Sequence, residues 1–227
     1  MTAMRVLFDM AGSNARAPAL LVLLPGALQQ PEQLVEQGYV SAVRERGLAL
    51  DIALVDPGLQ NINEATDGSA AHRLEAVLQA ARNDYQTLWL AGISLGGFIA
   101  LAHAARYGGR VDGLCLLSPY PGNRLLTGAI AAAGGPAAWA ATHTVDEGDD
   151  EERVWRWLAQ YGHADGAPEI HFGYASADRF AAGQRLMAGT LPPERVELIA
   201  GDHDWPSWRI LWNNFLDRNA GRIQGKS

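Results

Sequence analysis

The stretch Gly92-Ile93-Ser94-Leu95-Gly96-Gly97 decides how the rest of the chain is interpreted. The residues ahead of it, Thr87-Leu88-Trp89-Leu90-Ala91, form an apolar run of strand length, and residues 98–106 behind it are rich in alanine and predict a helix. Serine also caps ordinary helices, so the motif alone is compatible with a glycine-rich helix entry. Its position between a strand and a helix favours a nucleophile elbow, the sharp turn that presents a reactive serine.

The glycines of this stretch have definite places in such an elbow. Side chains at Gly92 and Gly96 would collide across the turn, and Gly97 allows the helix to pack close to the strand. We therefore expect Ser94 to have a strained backbone conformation, with its hydroxyl raised above the sheet.

Composition limits the class of protein. The 227 residues are 48% apolar and 19% charged, which predicts one domain spanning 1–227 with a core that needs no disulfide or metal. A net charge of -7 argues against a nucleic-acid partner. No run approaches the roughly 18 apolar residues of a membrane span. The one cysteine, Cys115, lies in an apolar run and is interpreted as a buried thiol, which together with the absence of a signal-like N-terminus favours a cytoplasmic location.

Apolar segments of strand length alternate with helical patterns along the chain. The predicted strands are 6–8, 19–24, 50–55, 87–91, 113–118, 169–174 and 195–199. The predicted helices are about 31–46, with an interruption at Gly38 left open, 68–83, 98–106, 151–161, 178–189 and 205–216. Runs that are apolar on both faces are typical of parallel strands covered by helices. The pattern predicts an α/β fold with a mostly parallel central sheet and helices on both faces.

Residues 119–149 interrupt this alternation and form a cap-like insertion in the prediction. The acidic run that follows from Asp146 to Glu152 is interpreted as a solvated surface that begins a helix, since acidic side chains favour helix N-termini. It lacks the ligand spacing and the glycine of a calcium loop.

Ligands of parallel sheets bind at the carboxyl ends of the strands, so reactive residues should follow strand ends. Ser94, Asp178 and His203 each do so, in that order along the chain. A serine hydroxyl needs a base within hydrogen-bond reach and a carboxylate that orients the base. The other histidines are weaker candidates for the base, because His72 and His103 lie in predicted helices, His171 lies within a strand, and His143 and His163 lie in irregular segments. The other acids are weaker as well. Asp202 and Asp204 point elsewhere if His203 points at Ser94, and Asp146 to Asp150 could reach the site only through a folded-over loop.

Acyl transfer also needs hydrogen-bond donors for the developing oxyanion. The backbone N–H of Leu95, directly after the serine, is one candidate. Ala27 is the other, in the Pro25-Gly26-Ala27 turn that follows the strand 19–24. The Pro-Gly pair is also consistent with a simple turn.

Together these motifs resemble the α/β-hydrolase fold family over nearly the whole chain. The resemblance implies a triad of Ser94, Asp178 and His203, with oxyanion donors on Ala27 and Leu95. It also departs from the family, because Leu24-Pro25-Gly26 stands where many members have His-Gly. The short chain is similar to a small esterase rather than to a lipase with a large lid.

The same resemblance implies that the segment 119–149 covers the site. Leu28, Tyr120, Leu125 and Trp139, with Leu126 and Ile130, would then line an apolar acyl pocket, although ordinary helix packing explains the same residues. The expected activity is hydrolysis of a small to medium carboxylic ester or thioester through an acyl-serine intermediate, without metal or cofactor. An acyltransferase or a carbon–carbon bond hydrolase on the same triad stays open, as does a non-catalytic protein that binds a small ligand.

Overall fold

A single sheet organises the computed structural model, which describes residues 4–12, 16–59, 62–108, 110–144, 146, 148–163 and 166–225. Within these ranges the sheet has seven strands: β1 (Arg5–Asp9), β2 (Ala19–Leu24), β3 (Leu50–Asp56), β4 (Thr87–Ile93), β5 (Gly113–Leu117), β6 (Glu169–Ala175) and β7 (Val196–Ile199). Their order is β1-β3-β2-β4-β5-β6-β7. Only the β1–β3 pairing is antiparallel. The predicted mostly parallel sheet is confirmed.

Helices connect the strands and cover both faces of the sheet. They are α1 (Pro31–Glu36), α2 (Tyr39–Glu45), α3 (Ser69–Ala81), α4 (Leu95–Tyr107), α5 (Arg124–Ala132), α6 (Pro136–Thr142), α7 (Asp150–Gln160), α8 (Ala181–Ala188) and α9 (Trp205–Ile223). The predicted helix 31–46 is divided into α1 and α2, because Gly38 between them has a φ of +85°. The last helix continues beyond the predicted end at 216, since Asn219 and Ile223 remain buried.

The core consists of two layers separated by the sheet. Along β2, Leu20, Val22 and Leu24 pack against one layer, and Leu21 and Leu23 pack against the other. Helices α3, α4 and α7 supply the first layer, and α2 and α9 supply the second. This two-sided burial explains why the central strands are apolar without alternation.

The segment 119–149 contains two short helices, α5 and α6. Trp139 of α6 is buried in the first core layer together with Trp155 of α7, whereas Leu125 of α5 is 88% exposed. The segment is attached to the core through Trp139 of α6 and through Ile130 of α5, which is also fully buried. None of the helices in the described ranges is long and apolar enough to cross a membrane.

The interpretation of the acidic run as a solvated face was wrong for two of its residues. The side chains of Asp150 and Glu151 are buried. Asp150 accepts a hydrogen bond from Arg106 Nε of α4 at 2.6 Å, which offsets part of the cost of burying its charge. Desolvation still outweighs this bond and raises the pKa of Asp150 to about 6. Glu147 of the same run lies outside the described residues.

Backbone strain is concentrated at one edge of the sheet. The non-glycine residues with positive φ in the described ranges are Leu28, Ser94 and Ser118, at +61°, +50° and +47°. Ser94 and Ser118 directly follow β4 and β5, and Leu28 lies in the turn after β2. This is the carboxyl edge, where the ligands of parallel sheets bind.

Candidate active site

Ser94 lies in a sharp turn between β4 and α4. Its φ of +50° and ψ of −113° fall outside the regions that most residues adopt, as expected for a nucleophile elbow. A side chain at Gly92 would overlap the backbone of Gly96, which explains the glycines on both sides. The Ser94 N–H donates to Leu117 O at 3.0 Å, and its carbonyl accepts from the Tyr120 N–H at 2.9 Å. The strained conformation is thus held by bonds from the neighbouring strand.

The structure brings Ser94, His203 and Asp178 into one hydrogen-bonded chain. His203 Nε2 lies 2.9 Å from Ser94 Oγ, and His203 Nδ1 lies 2.7 Å from Asp178 Oδ2. Asp178 occupies the turn between β6 and α8, since the helix begins at Ala181 rather than at the predicted residue 178. The three side chains follow β4, β6 and β7, so the parallel sheet alone places them at one edge.

Asp178 is held as a carboxylate in a closed environment. Its side chain is fully buried, Oδ1 accepts from the Phe180 N–H at 2.8 Å, and Oδ2 accepts from Gln184 Nε2 at 3.1 Å. Burial opposes ionisation, but the hydrogen bonds from His203, Phe180 and Gln184 outweigh it, so that the pKa of Asp178 is lowered. The carboxylate is therefore ready to accept from His203.

The imidazole of His203 is confined by two aromatic rings. Phe180 and Trp208 meet it edge-on, with ring centroids at 5.1 and 5.0 Å. The two flanking aspartates have other partners: Asp202 Oδ1 accepts from the backbone N–H of His203 at 3.2 Å, and Asp204 caps α9 through the Ser207 N–H. Neither replaces Asp178 as the partner of the ring.

The turn after β2 lies directly against the elbow. A side chain at Gly96 would overlap the carbonyl oxygens of Leu24 and Pro25. The Gly26 N–H donates to Gln29 Oε1 at 2.7 Å, and the Gln29 N–H donates to Gly26 O at 3.2 Å, which closes the turn around Ala27. Leu95 is the first residue of α4, where N–H groups lack helical acceptors. This arrangement is compatible with the predicted oxyanion donors Ala27 and Leu95.

The residues predicted to line a pocket are dispersed. Tyr120 lies beside the elbow through its bond to Ser94 O, and its ring packs edge-on against Phe98 and Phe180. Leu28 and Leu125 are almost completely solvent-exposed, and Trp139 is buried and stacked on His143. Tyr120 is thus in contact with residues around Ser94, whereas Trp139 lies in the core and the side chains of Leu28 and Leu125 are in solvent.

The sequence alone did not predict that Gln184 and Trp208 belong to this site. Gln184 lies in α8, six positions after Asp178, and carried no motif. Trp208 of α9 lies in the second core layer and also contacts the ring of His203, and nothing in its local sequence indicates the second contact. No group of three or more His, Cys, Asp or Glu side chains in the described ranges could hold a metal ion.

Two further histidines pair with carboxylates elsewhere in the fold. His103 Nε2 lies 2.7 Å from Glu75 Oε2 between α3 and α4, and His171 Nε2 lies 2.7 Å from Glu169 Oε1 on β6. Burial alone would raise the pKa of Glu75, but hydrogen bonds from His103, from two arginines and from Gln79 bring it to about 2. Desolvation, with nearby arginines, lowers the pKa of His171 to about 4.

The strand order, the two helical layers and the strand-end serine define an α/β-hydrolase. Residues 55–214 match the family model Esterase, described as "Putative esterase". Because this match spans more than half of the chain, the protein belongs to that esterase family. A search of curated proteins found no match.

Solved structures agree with this assignment of the fold. FphF, a fluorophosphonate-binding serine hydrolase of Staphylococcus aureus, has a TM-score of 0.68 at 13% identity, with 96% of this chain and 91% of that chain covered. The S-formylglutathione hydrolase FrmB of Staphylococcus aureus has a TM-score of 0.65 at 11% identity, with 98% and 100% covered. MPT51 of Mycobacterium tuberculosis has a TM-score of 0.61 at 19% identity, with 98% and 93% covered.

Proposed function

We propose that this esterase-family protein hydrolyses a carboxylic ester or thioester through an acyl intermediate on Ser94. His203 is the general base and Asp178 its orienting carboxylate. The observation that carries the proposal is the continuous chain from Ser94 Oγ through His203 to Asp178, with 2.9 and 2.7 Å between the paired atoms. This geometry supplies the nucleophile, the base and the third group that serine catalysis needs.

In the first half of the proposed reaction, Ser94 Oγ attacks the substrate carbonyl carbon while its proton moves to His203 Nε2. The carbonyl oxygen becomes an oxyanion that accepts hydrogen bonds from the N–H groups of Leu95 and Ala27. When the tetrahedral intermediate collapses, the bond to the leaving alcohol or thiol breaks and His203 donates the proton to it. Asp178 stabilises the imidazolium throughout.

The second half repeats these roles with water as the nucleophile. His203 takes a proton from water, the hydroxide attacks the acyl carbon, and the collapse returns the proton to Ser94 Oγ and releases a carboxylic acid. The name of FrmB as an S-formylglutathione hydrolase supports the inclusion of thioesters among the substrates.

A fluorophosphonate probe followed by mass spectrometry tests the nucleophile. We expect one covalent adduct on Ser94, its loss in Ser94→Ala, and its retention in Ser176→Ala, which removes an exposed hydroxyl from the turn that carries Asp178. An adduct that survives Ser94→Ala would contradict the assignment.

Turnover is measured separately with nitrophenyl acetate and with a thioester. His203→Ala should lower kcat by about 10⁵-fold to 10⁶-fold, as is typical when the base of a serine triad is removed. Adduct formation on Ser94 without release of nitrophenol or thiol by the unmodified protein would contradict hydrolysis and support a ligand-binding role.

A further inference from the structure

Gln184 is a fully buried residue of α8 whose side chain contacts the carboxylate of Asp178. Its Nε2 donates to Asp178 Oδ2 at 3.1 Å and to Pro119 O at 3.2 Å. We infer that Gln184 is a positioning residue, which sets the carboxylate of Asp178 against His203 and moderates its charge. This inference rests on the proposed function.

The chemistry of its neighbours fixes the orientation of the Gln184 amide. A carboxylate oxygen and a backbone carbonyl oxygen can only accept, so the NH₂ group must face both of them. Its Oε1 atom then has no hydrogen-bond partner within the part of the chain that the structure describes. The fold therefore uses both donors of this amide at the site and leaves its acceptor unsatisfied.

The two hydrogen bonds of Gln184 join the acid to the segment behind the nucleophile. Pro119 precedes Tyr120, and the Tyr120 N–H donates to the carbonyl oxygen of Ser94 at 2.9 Å. The turn that carries Asp178 is thus connected through one side chain to the residues that hold the elbow. Loss of the amide would leave the carboxylate only the Phe180 N–H and His203 as hydrogen-bond partners and would remove its connection to Pro119.

The same amide also has an electrostatic role. Oδ2 of Asp178 is the oxygen that accepts from His203 Nδ1, so Gln184 and His203 share one acceptor atom. A neutral donor on that oxygen withdraws part of the negative charge that the imidazolium would otherwise meet. Without it, the imidazolium is more stable, and a higher pH is needed to free the base that catalysis requires.

The test compares the unmodified protein with Q184M, which keeps the side-chain length, and with Q184L, which also removes both amide donors and adds no buried charge. For Q184M we expect kcat to fall about 10-fold, as for other partners that orient a reacting group, with KM within about twofold. The acidic limb of the kcat/KM profile should move up by about half a pH unit in both variants. A merely structural role would not move this limb.

Proton NMR provides a readout that is independent of turnover. The low-field resonance of the His203 Nδ1 proton, assigned by its loss in D178N, should change position in Q184M because the shared acceptor has lost one donor. Q79M is the matched control, since Gln79 Nε2 donates to Glu75 Oε1 at 3.0 Å on α3. It should leave the pH profile and the resonance unchanged.

The outcomes separate this inference from the proposed function. An active protein whose Q184M form keeps kcat, the acidic limb and the resonance would overturn the positioning role alone. Absence of a phosphonate adduct on Ser94 in the unmodified protein would overturn the proposed function. If Q184M does not fold, Q184L carries the same measurements, and an unchanged acidic limb there overturns the inference.

Discussion

The molecule contains two hydrogen-bonded pairs of a histidine and a carboxylate, and the two pairs lie in very different regions. At the carboxyl edge of the sheet, His203 and Asp178 lie 2.7 Å apart, and in the core between α3 and α4, His103 and Glu75 lie 2.7 Å apart. The free nitrogen of His203 meets Ser94 Oγ, whereas His103 is completely buried and its Nδ1 has no partner among the described residues.

The difference shows what a histidine–carboxylate pair needs before it can do chemistry. Glu75 is also bound by Arg82 and Arg110, so its charge is already neutralised, and burial lowers the pKa of His103 in spite of the carboxylate. Asp178 instead receives one neutral amide, one backbone N–H and the imidazole. Reactivity therefore depends on the serine that His203 contacts and on access for a substrate, and a histidine–carboxylate pair alone does not provide it.

The largest expected effect comes from breaking the pair of His203 and Asp178 at the sheet edge. Asp178→Asn should lower kcat/KM for nitrophenyl acetate by about 10⁴-fold, because the imidazole loses the carboxylate that orients it and stabilises its charge. Glu75→Gln, the matched change in the core pair, should leave kcat/KM of the folded enzyme within about twofold. Similar losses of kcat/KM in both variants would show that the two pairs are not functionally distinct.

The second effect is on the free energy of unfolding, for which we expect the change in the core pair to cost more than the change at the sheet edge. Glu75→Gln should lower the free energy of unfolding by about 3 kcal/mol, because it leaves His103 and two arginines around an uncharged amide. Asp178→Asn should lower it less, by about 1 to 2 kcal/mol, because the amide has one acceptor oxygen in place of two and leaves a buried donor without a partner. Urea unfolding followed by circular dichroism measures both, and an equal or greater loss for Asp178→Asn would contradict this contrast.

The third effect extends the comparison to the pair of His171 and Glu169. The pKa of His171 is about 4 in the folded protein, against about 6.5 for an unperturbed histidine, so the unfolded chain binds the proton more readily. The free energy of unfolding should therefore fall as pH decreases from about 6.5 to about 4. Because one pKa unit corresponds to about 1.4 kcal/mol, we expect a loss of about 2 to 3 kcal/mol over this range. His171→Gln should reduce this slope, and an unchanged slope would exclude His171 as its source.

The smallest effect concerns Tyr120, which links the site to α7. Its hydroxyl donates to Glu151 Oε1 at 3.0 Å, while its backbone N–H holds the elbow. Tyr120→Phe removes only the first bond and should cost about 1 kcal/mol of unfolding free energy, with kcat/KM within about twofold. A large loss of kcat/KM would place the hydroxyl in the reaction itself.

Local sequence rules predicted much of the fold and the positions of the candidate site. The strand ahead of Ser94, the glycines around it and the placement of Asp178 and His203 after strands are properties of short segments, and parallel topology converts them into one edge. Gln184 could not be found this way, because its role depends on α8 folding back onto the end of β5.

The sequence also did not predict which charged side chains are buried. Asp150 and Glu151 lie in an acidic run that is typical of a surface, and their burial depends on Arg106, Tyr120 and Asn123 from other elements. The exposure of Leu125 likewise follows from α5 lying at the outside of the segment 119–149. Such outcomes depend on tertiary partners rather than on local pattern.

The positive φ angles of Leu28, Ser94 and Ser118 have a consequence for anyone who would make this enzyme more heat-resistant. A left-handed conformation costs a non-glycine residue about 1–2 kcal/mol, and glycine at such positions removes the penalty. At Ser94 that replacement would erase the proposed nucleophile. Leu28, fully exposed in its turn, is the position where a designer can recover this energy without removing a group that the proposed reaction uses.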